Sequence, residues 1–269
     1  MMKSPTLLLL LLLLVAACSS INAQKAIFIL AGQSNMAGRG GIKYLDPTPE
    51  NPLGAVWNHT IPPDSQSSPH ILRLNAKLAW EVATEPLHAD IDTSKVCGVG
   101  PGMAFANEVL KRKPCLGVIG LVPCTKGGTY MAEWSRGTEL YNRIINRTAA
   151  ALQCGGRLEA LLWYQGENQA DKGVGLATFA TDVLSFFTSL REDLKAPNLP
   201  IIQVALSPDE KGDFTLEIRE IQLNLKFPFL TTVDANGSDM NIQDHVHLTT
   251  SSQVILGKKM AMAFLDMIH

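Results

Sequence analysis

A serine hydroxyl attacks an ester at neutral pH only with help. A base must take its proton, a third group must hold that base in the right tautomer, and donors must meet the oxyanion. The stretch Ala31-Gly32-Gln33-Ser34-Asn35-Met36-Ala37-Gly38 offers the serine. It follows the apolar run 25–30, Lys-Ala-Ile-Phe-Ile-Leu, which reads as a buried strand. Ser34 therefore stands where a strand ends, and its flanking glycines allow tight turns and close approach by a substrate.

Imidazole is the usual base for such a serine, and the chain has six histidines. His59, His70 and His88 fall in a long polar stretch, and His269 is the last residue. His245 and His247 occur in Asp244-His245-Val246-His247. An aspartate three residues before a histidine can turn back within one tight turn and accept the imidazole N–H, which favours Asp244 with His247 over His245. Oxyanion donors are sought in the Ser34 N–H, in Gly127 and Gly128 of Thr125-Lys126-Gly127-Gly128-Thr129, and in the side-chain amide of Gln165. Glu167 and Asn168 follow Gln165 and are read as support for the site. Trp134 and Trp163 could stack on a sugar, but aromatic residues at such spacings more often belong to the core.

These residues need elements to hold them. The sequence predicts strands over 25–30, 116–122, 158–164, 199–206 and 229–234. Helices are predicted over 103–113, 139–153, 176–194, 214–226 and 251–268, the last with Thr249 or Thr250 near its N-cap. Such alternation implies an α/β fold with a five-stranded parallel sheet covered by helices on both faces. In that architecture ligands bind beyond the carboxyl ends of the strands. Ser34, the 123–131 loop, the 165–168 segment and the 244–247 segment all fall there. Residues 39–100 are proline-rich and poor in periodic runs, and read as ordered excursions over the same face.

Composition narrows the function class. A formal net charge of −2 with no basic cluster gives no footprint for nucleic acid. Gly-x-Ser-x-Gly is absent because Met36 stands where its last glycine would be, and no P-loop, His-Glu-x-x-His or complete Gly-x-Gly-x-x-Gly occurs. The cysteines Cys97, Cys115, Cys124 and Cys154 match no zinc spacing, so no metal or other cofactor is expected. In an oxidising compartment those four could form two disulfides.

Residues 1–23, with Lys3 followed by an apolar run, read as a secretory signal peptide, leaving 24–269 as one domain with no membrane anchor after cleavage. Val15-Ala16-Ala17-Cys18 gives an alternative, a lipoprotein cleavage box with Cys18 lipidated. Asn58, Asn146 and Asn236 begin sequons usable on a eukaryotic secretory route.

Four segments occur in order: GQSNMAGRGG (32–41), PCTKGGTYMAEW (123–134), WYQGENQAD (163–171) and DHVHLTTSSQ (244–253). In this the chain resembles SGNH/GDSL-type hydrolases of the sialate O-acetylesterase-like branch, and most of all the plant carbohydrate esterases related to acetylxylan esterases. The resemblance spans essentially all of 24–269. It implies a flavodoxin-like three-layer α/β/α fold and hydrolysis of O-acetyl esters on carbohydrate without a metal. It also implies Ser34 as nucleophile, His247 as base, Asp244 as its partner, and Gly128 or Gly127 with Gln165 as oxyanion donors. Gln165-Gly166-Glu167 departs from the Gly-x-Asn-Asp of the wider superfamily. Two rivals share the scaffold: a short-chain lipase or thioesterase, and a non-catalytic carbohydrate-binding protein.

Overall fold

The computed structural model describes residues 25–153 and 155–268. The expected leader with Cys18, together with Cys154 and His269, lies outside the described residues.

Strand β1 (Lys25–Gly32) is buried along its whole length, as a continuous apolar run at the centre of a parallel sheet should be. It pairs in parallel with β6 (Val118–Pro123) on one side and β7 (Arg157–Tyr164) on the other. Beyond β7 come β8 (Ile201–Ala205) and β9 (Leu230–Asp234), both parallel. The order β6-β1-β7-β8-β9 is the doubly wound flavodoxin arrangement, in which chain order reverses at β1.

Five strands were expected, and the described sheet has seven. The other two are β4 (Ile71–Leu74), parallel to β6, and β5 (Trp80–Val82), antiparallel to β4 at the edge. Both lie inside the 39–100 excursion, and at four and three residues each is too short to carry a period. A separate antiparallel hairpin, β2 (Ile42–Tyr44) with β3 (Ala55–Trp57), also belongs to that excursion.

Helices α2 (Pro101–Arg112) and α7 (Thr250–Met267) pack together on one face of the sheet. There Phe28 of β1 meets Phe105 and Phe264 edge-on, at 5.0 and 4.9 Å. The opposite face carries α3 (Glu139–Leu152) and α5 (Phe179–Asp193). Trp163 of β7 points that way, 4.6 Å from Phe186 and 5.2 Å from Trp134. Both tryptophans are thus core residues rather than sugar platforms. Helix α6 (Thr215–Asn224) lies between β8 and β9 in the chain.

Several expected bounds shift. Helix α2 begins at Pro101, whose missing N–H costs nothing in a first turn. Residues 176–178 form a 3-10 turn rather than the start of α5. Two short helices, α1 (Ser34–Ala37) and α4 (Glu167–Lys172), were not expected. The two expected disulfides do not form, because Cys97, Cys115 and Cys124 are free. Cys97 instead accepts a hydrogen bond from Arg39, Cys124 is buried just past the end of β6, and Cys115 is exposed on a 3-10 turn.

Candidate active site

The serine is set by backbone contact. Gly32, at φ +125°, ends β1 so close to β7 that a Cβ there would lie 2.0 Å from the Tyr164 carbonyl oxygen. Only glycine fits, and the Gln33 N–H then donates to that same carbonyl at 2.9 Å. The chain turns at once into the single turn α1, closed by Gly38 at φ +90°. This leaves Ser34 at the carboxyl end of β1, at the point where strand order reverses.

Opposite it stands the loop between β9 and α7. His247 Nε2 is 2.9 Å from Ser34 Oγ, and His247 Nδ1 is 2.6 Å from Asp244 Oδ2. An ionised carboxylate only accepts, so Nδ1 carries the proton and Nε2 presents its lone pair to the serine hydroxyl. Asp244 Oδ1 also accepts the backbone N–H groups of Val246 and His247, at 2.9 and 3.0 Å, which fixes the turn. Burial alone would raise the Asp244 carboxyl. Hydrogen bonds and charge from His247, with the two backbone donors, outweigh it and hold the carboxyl at about 2.

The other histidines lie elsewhere. His245, on the same loop at φ +57°, is exposed and does not line the cleft, and its carbonyl accepts from the Lys211 N–H. His88 is fully buried on Thr125 Oγ1 at 2.7 Å, and burial pushes it down to about 3, so it stays neutral.

The oxyanion candidates separate. The Gly127 N–H is spent on Asp92 Oδ2 at 3.2 Å. A Cβ on Gly127 would lie 2.8 Å from Arg39 Nη2 and 3.5 Å from Ser34 Cβ, so this loop runs directly beside the serine. Gly128, at φ +73° with open space beside it, has no acceptor for its N–H among the described residues. Gln165 corrects the expectation. It is fully buried, and its amide donates to the Thr129 carbonyl and to Gln169 Oε1, at 3.2 and 2.9 Å. It braces the 127–129 loop and α4 from behind and does not reach the cleft.

Three residues that the sequence did not single out tie the loops together. Asn35 donates through Nδ2 to Glu167 Oε1 and to the Val246 carbonyl, at 3.2 and 3.1 Å, and accepts the Leu248 N–H at 3.0 Å. It therefore joins the serine turn, α4 and the histidine loop. Arg39 forms a buried ion pair with Asp92, the acceptor of the Gly127 N–H. Tyr44 of β2 brings its hydroxyl 2.9 Å from His247 Nδ1. Glu167 is buried, and burial pushes its carboxyl up to about 7 against the opposing hydrogen bonds from Asn35. Glu210, buried beside the Glu167 charge, is raised further.

Ser34, His247, Asp244, Gly127, Gly128, Glu167 and Asn168 all line one cleft of about 500 Å³. Among the described residues no three His, Cys, Asp or Glu side chains converge to hold a metal ion, and no helix is long and apolar enough to cross a membrane.

Residues 24–266 match the family described as carbohydrate esterase, sialic acid-specific acetylesterase. The chain belongs to this carbohydrate esterase family. Membership makes it a carboxylic ester hydrolase of the carbohydrate acetylesterase class. A probable carbohydrate esterase from Arabidopsis thaliana is 48% identical over 241 residues, 89% of this chain and 90% of that protein. An X-ray structure of an Arabidopsis thaliana protein superposes with a TM-score of 0.83 at 46% identity, covering 90% of this chain and 98% of that one. The structure of NanS matches at TM-score 0.68 and 17% identity, over 91% and 97% of the two chains, a likeness of fold. A carbohydrate acetylesterase from Xanthomonas citri gives 0.54 at 20% identity, covering 88% of this chain and 55% of that one, again a likeness of fold.

Proposed function

We propose that this carbohydrate esterase removes O-acetyl groups from glycans by a two-step displacement at Ser34. The observation that carries the reading is the relay Ser34 Oγ, His247 Nε2, His247 Nδ1, Asp244 Oδ2, with both polar contacts below 3 Å. Ser34 Oγ attacks the acetyl carbonyl carbon as His247 Nε2 takes its proton. The tetrahedral oxyanion is held by the N–H groups of Ser34 and Gly128, both without acceptors among the described residues. On collapse His247 returns the proton to the departing sugar hydroxyl, leaving Ser34 acetylated. Water, deprotonated by the same nitrogen, then releases acetate and restores the serine.

The walls beside Ser34 favour a small acyl group. Arg39, Glu167 and Gln33 line the cleft there, and these polar groups give an alkyl chain no apolar surface to bury. Purified enzyme should release acetate from at least one of acetylated xylan, acetylated pectin and O-acetyl sialic acid, and cleave an aryl acetate well before the octanoate. Preference for the octanoate would replace this reading with a lipase. Failure of a fluorophosphonate to label Ser34 would replace it with a binding protein.

We further propose secretion through cleavage of residues 1–23, a reading supported by the charge and apolar pattern of that segment. N-terminal sequencing of protein recovered from the extracellular fraction tests it; a mature chain still beginning at Met1 refutes it.

A further inference from the structure

The residue beside the relay that has been given no task is Tyr44. It belongs to the β2–β3 hairpin, which contributes nothing to the main sheet, yet its hydroxyl oxygen lies 2.9 Å from His247 Nδ1. That nitrogen already donates to Asp244. The phenol oxygen therefore faces an N–H as a second acceptor, and the phenol proton is left the Asp244 carboxylate as its acceptor. The two rings lie 6.2 Å apart and tilted by 32°.

This placement is built in twice. The side-chain amide of Gln243, one residue before Asp244, accepts the Tyr44 N–H at 2.9 Å and donates to the Tyr44 carbonyl at 3.0 Å. It thus serves Tyr44 as a neighbouring strand would. Asn241, from the same loop, donates to the Ile42 carbonyl at 3.0 Å. The loop that carries the base therefore carries its own clamp on the hairpin.

We propose that Tyr44 is a positioning residue for the base: its hydroxyl bridges His247 Nδ1 and Asp244, and Gln243 sets it in register. The proposal rests on the Ser34–His247–Asp244 reading and adds a fourth side chain to it. Burial and the Asp244 charge hold the phenol well above its ordinary range, so it remains a donor at any working pH. Without that hydroxyl Asp244 loses a donor, while the ring that stays in Tyr44→Phe keeps the shape of the cleft.

The test is Tyr44→Phe and Gln243→Ala, singly and together, assayed on an aryl acetate beside Ser34→Ala, with thermal midpoints measured for all. Loss of one hydrogen bond to the ionised Asp244 predicts a kcat lower by about ten- to a hundredfold in Tyr44→Phe, with KM within about twofold. Fluorophosphonate labelling of Ser34 should slow by the same factor. Gln243→Ala should reproduce part of the loss, and the double variant should be no slower than the slower single, since both changes act on one contact. Wild-type kcat in Tyr44→Phe beside an inactive Ser34→Ala overturns the role of Tyr44 and leaves the serine reading standing. So does a loss that falls on KM alone, or one matched by a lowered thermal midpoint. Full activity in Ser34→Ala overturns the serine reading itself.

Discussion

Ser34 Oγ and His247 Nε2 stand 2.9 Å apart although 213 residues of chain separate them. The first belongs to the end of the central strand and the second to the loop after the last. If that contact activates the serine, Ser34→Ala and His247→Ala should each lower kcat on an aryl acetate by about 10⁴-fold or more. Circular dichroism and thermal midpoint should stay near wild type. His245→Ala, which removes a ring that does not line the cleft, should stay within about threefold. If the two histidine variants exchange these outcomes, the base is His245.

Glu167 makes stability depend on pH in a defined direction. Burial raises its carboxyl from the ordinary 4.5 to about 7 in the folded chain. Below about pH 4.5 it is protonated in both states and the penalty is absent. As pH rises toward 7 the unfolded chain gives up the proton more readily, so folding stability falls, and above 7 the loss is complete. Glu167→Gln keeps the oxygen that accepts from Asn35 and removes the titration. Its thermal midpoint should change less between pH 5 and pH 8 than that of the wild type. An unchanged slope would show that Glu167 is ionised across that range.

The Arg39–Asp92 pair is buried at 3% and 0% exposure and holds the Gly127 N–H. Removing Arg39 leaves the buried Asp92 charge only the longer contact with Lys126, at 3.8 Å. Arg39→Met should therefore cost about 3–5 kcal/mol in denaturant unfolding. It should also reduce kcat in whatever fraction remains folded, because the 127–128 loop loses its brace. A variant as stable as the wild type would mean that Asp92 finds another partner or takes up a proton.

How far the site could be read in the chain depends on the range of each interaction. Asp244 and His247 were legible because the carboxylate and the ring meet within one turn. Ser34 was legible because the end of a buried apolar run marks the site face of a parallel sheet. Gln165 was misread because its amide turns on side-chain torsions, and the chain offers it the Thr129 carbonyl and Gln169 instead. Gly127 and Gly128 could not be told apart from their neighbours alone. Asp92, 35 residues earlier, takes the N–H of the first and leaves that of the second. Strands β4 and β5 and the turns α1 and α4 were missed because runs of three to six residues carry no period. Tyr44 was hidden by a contact spanning 199 residues, between its backbone and the Gln243 amide.

Asn35 gives the site a mechanical property. Because one side chain bonds Glu167 on α4 and both Val246 and Leu248 on the histidine loop, the nucleophile turn cannot open without breaking its ties to both. Opening of the nucleophile turn is thereby coupled to the base loop and to α4 through one side chain. The freer wall of the cleft is Leu53, exposed in the loop between β2 and β3 and beyond the Gln243 and Asn241 contacts that tie β2 to the base loop. The fixed part of the molecule keeps the chemistry constant, and the adjustable wall is where the choice of sugar can drift without disturbing it.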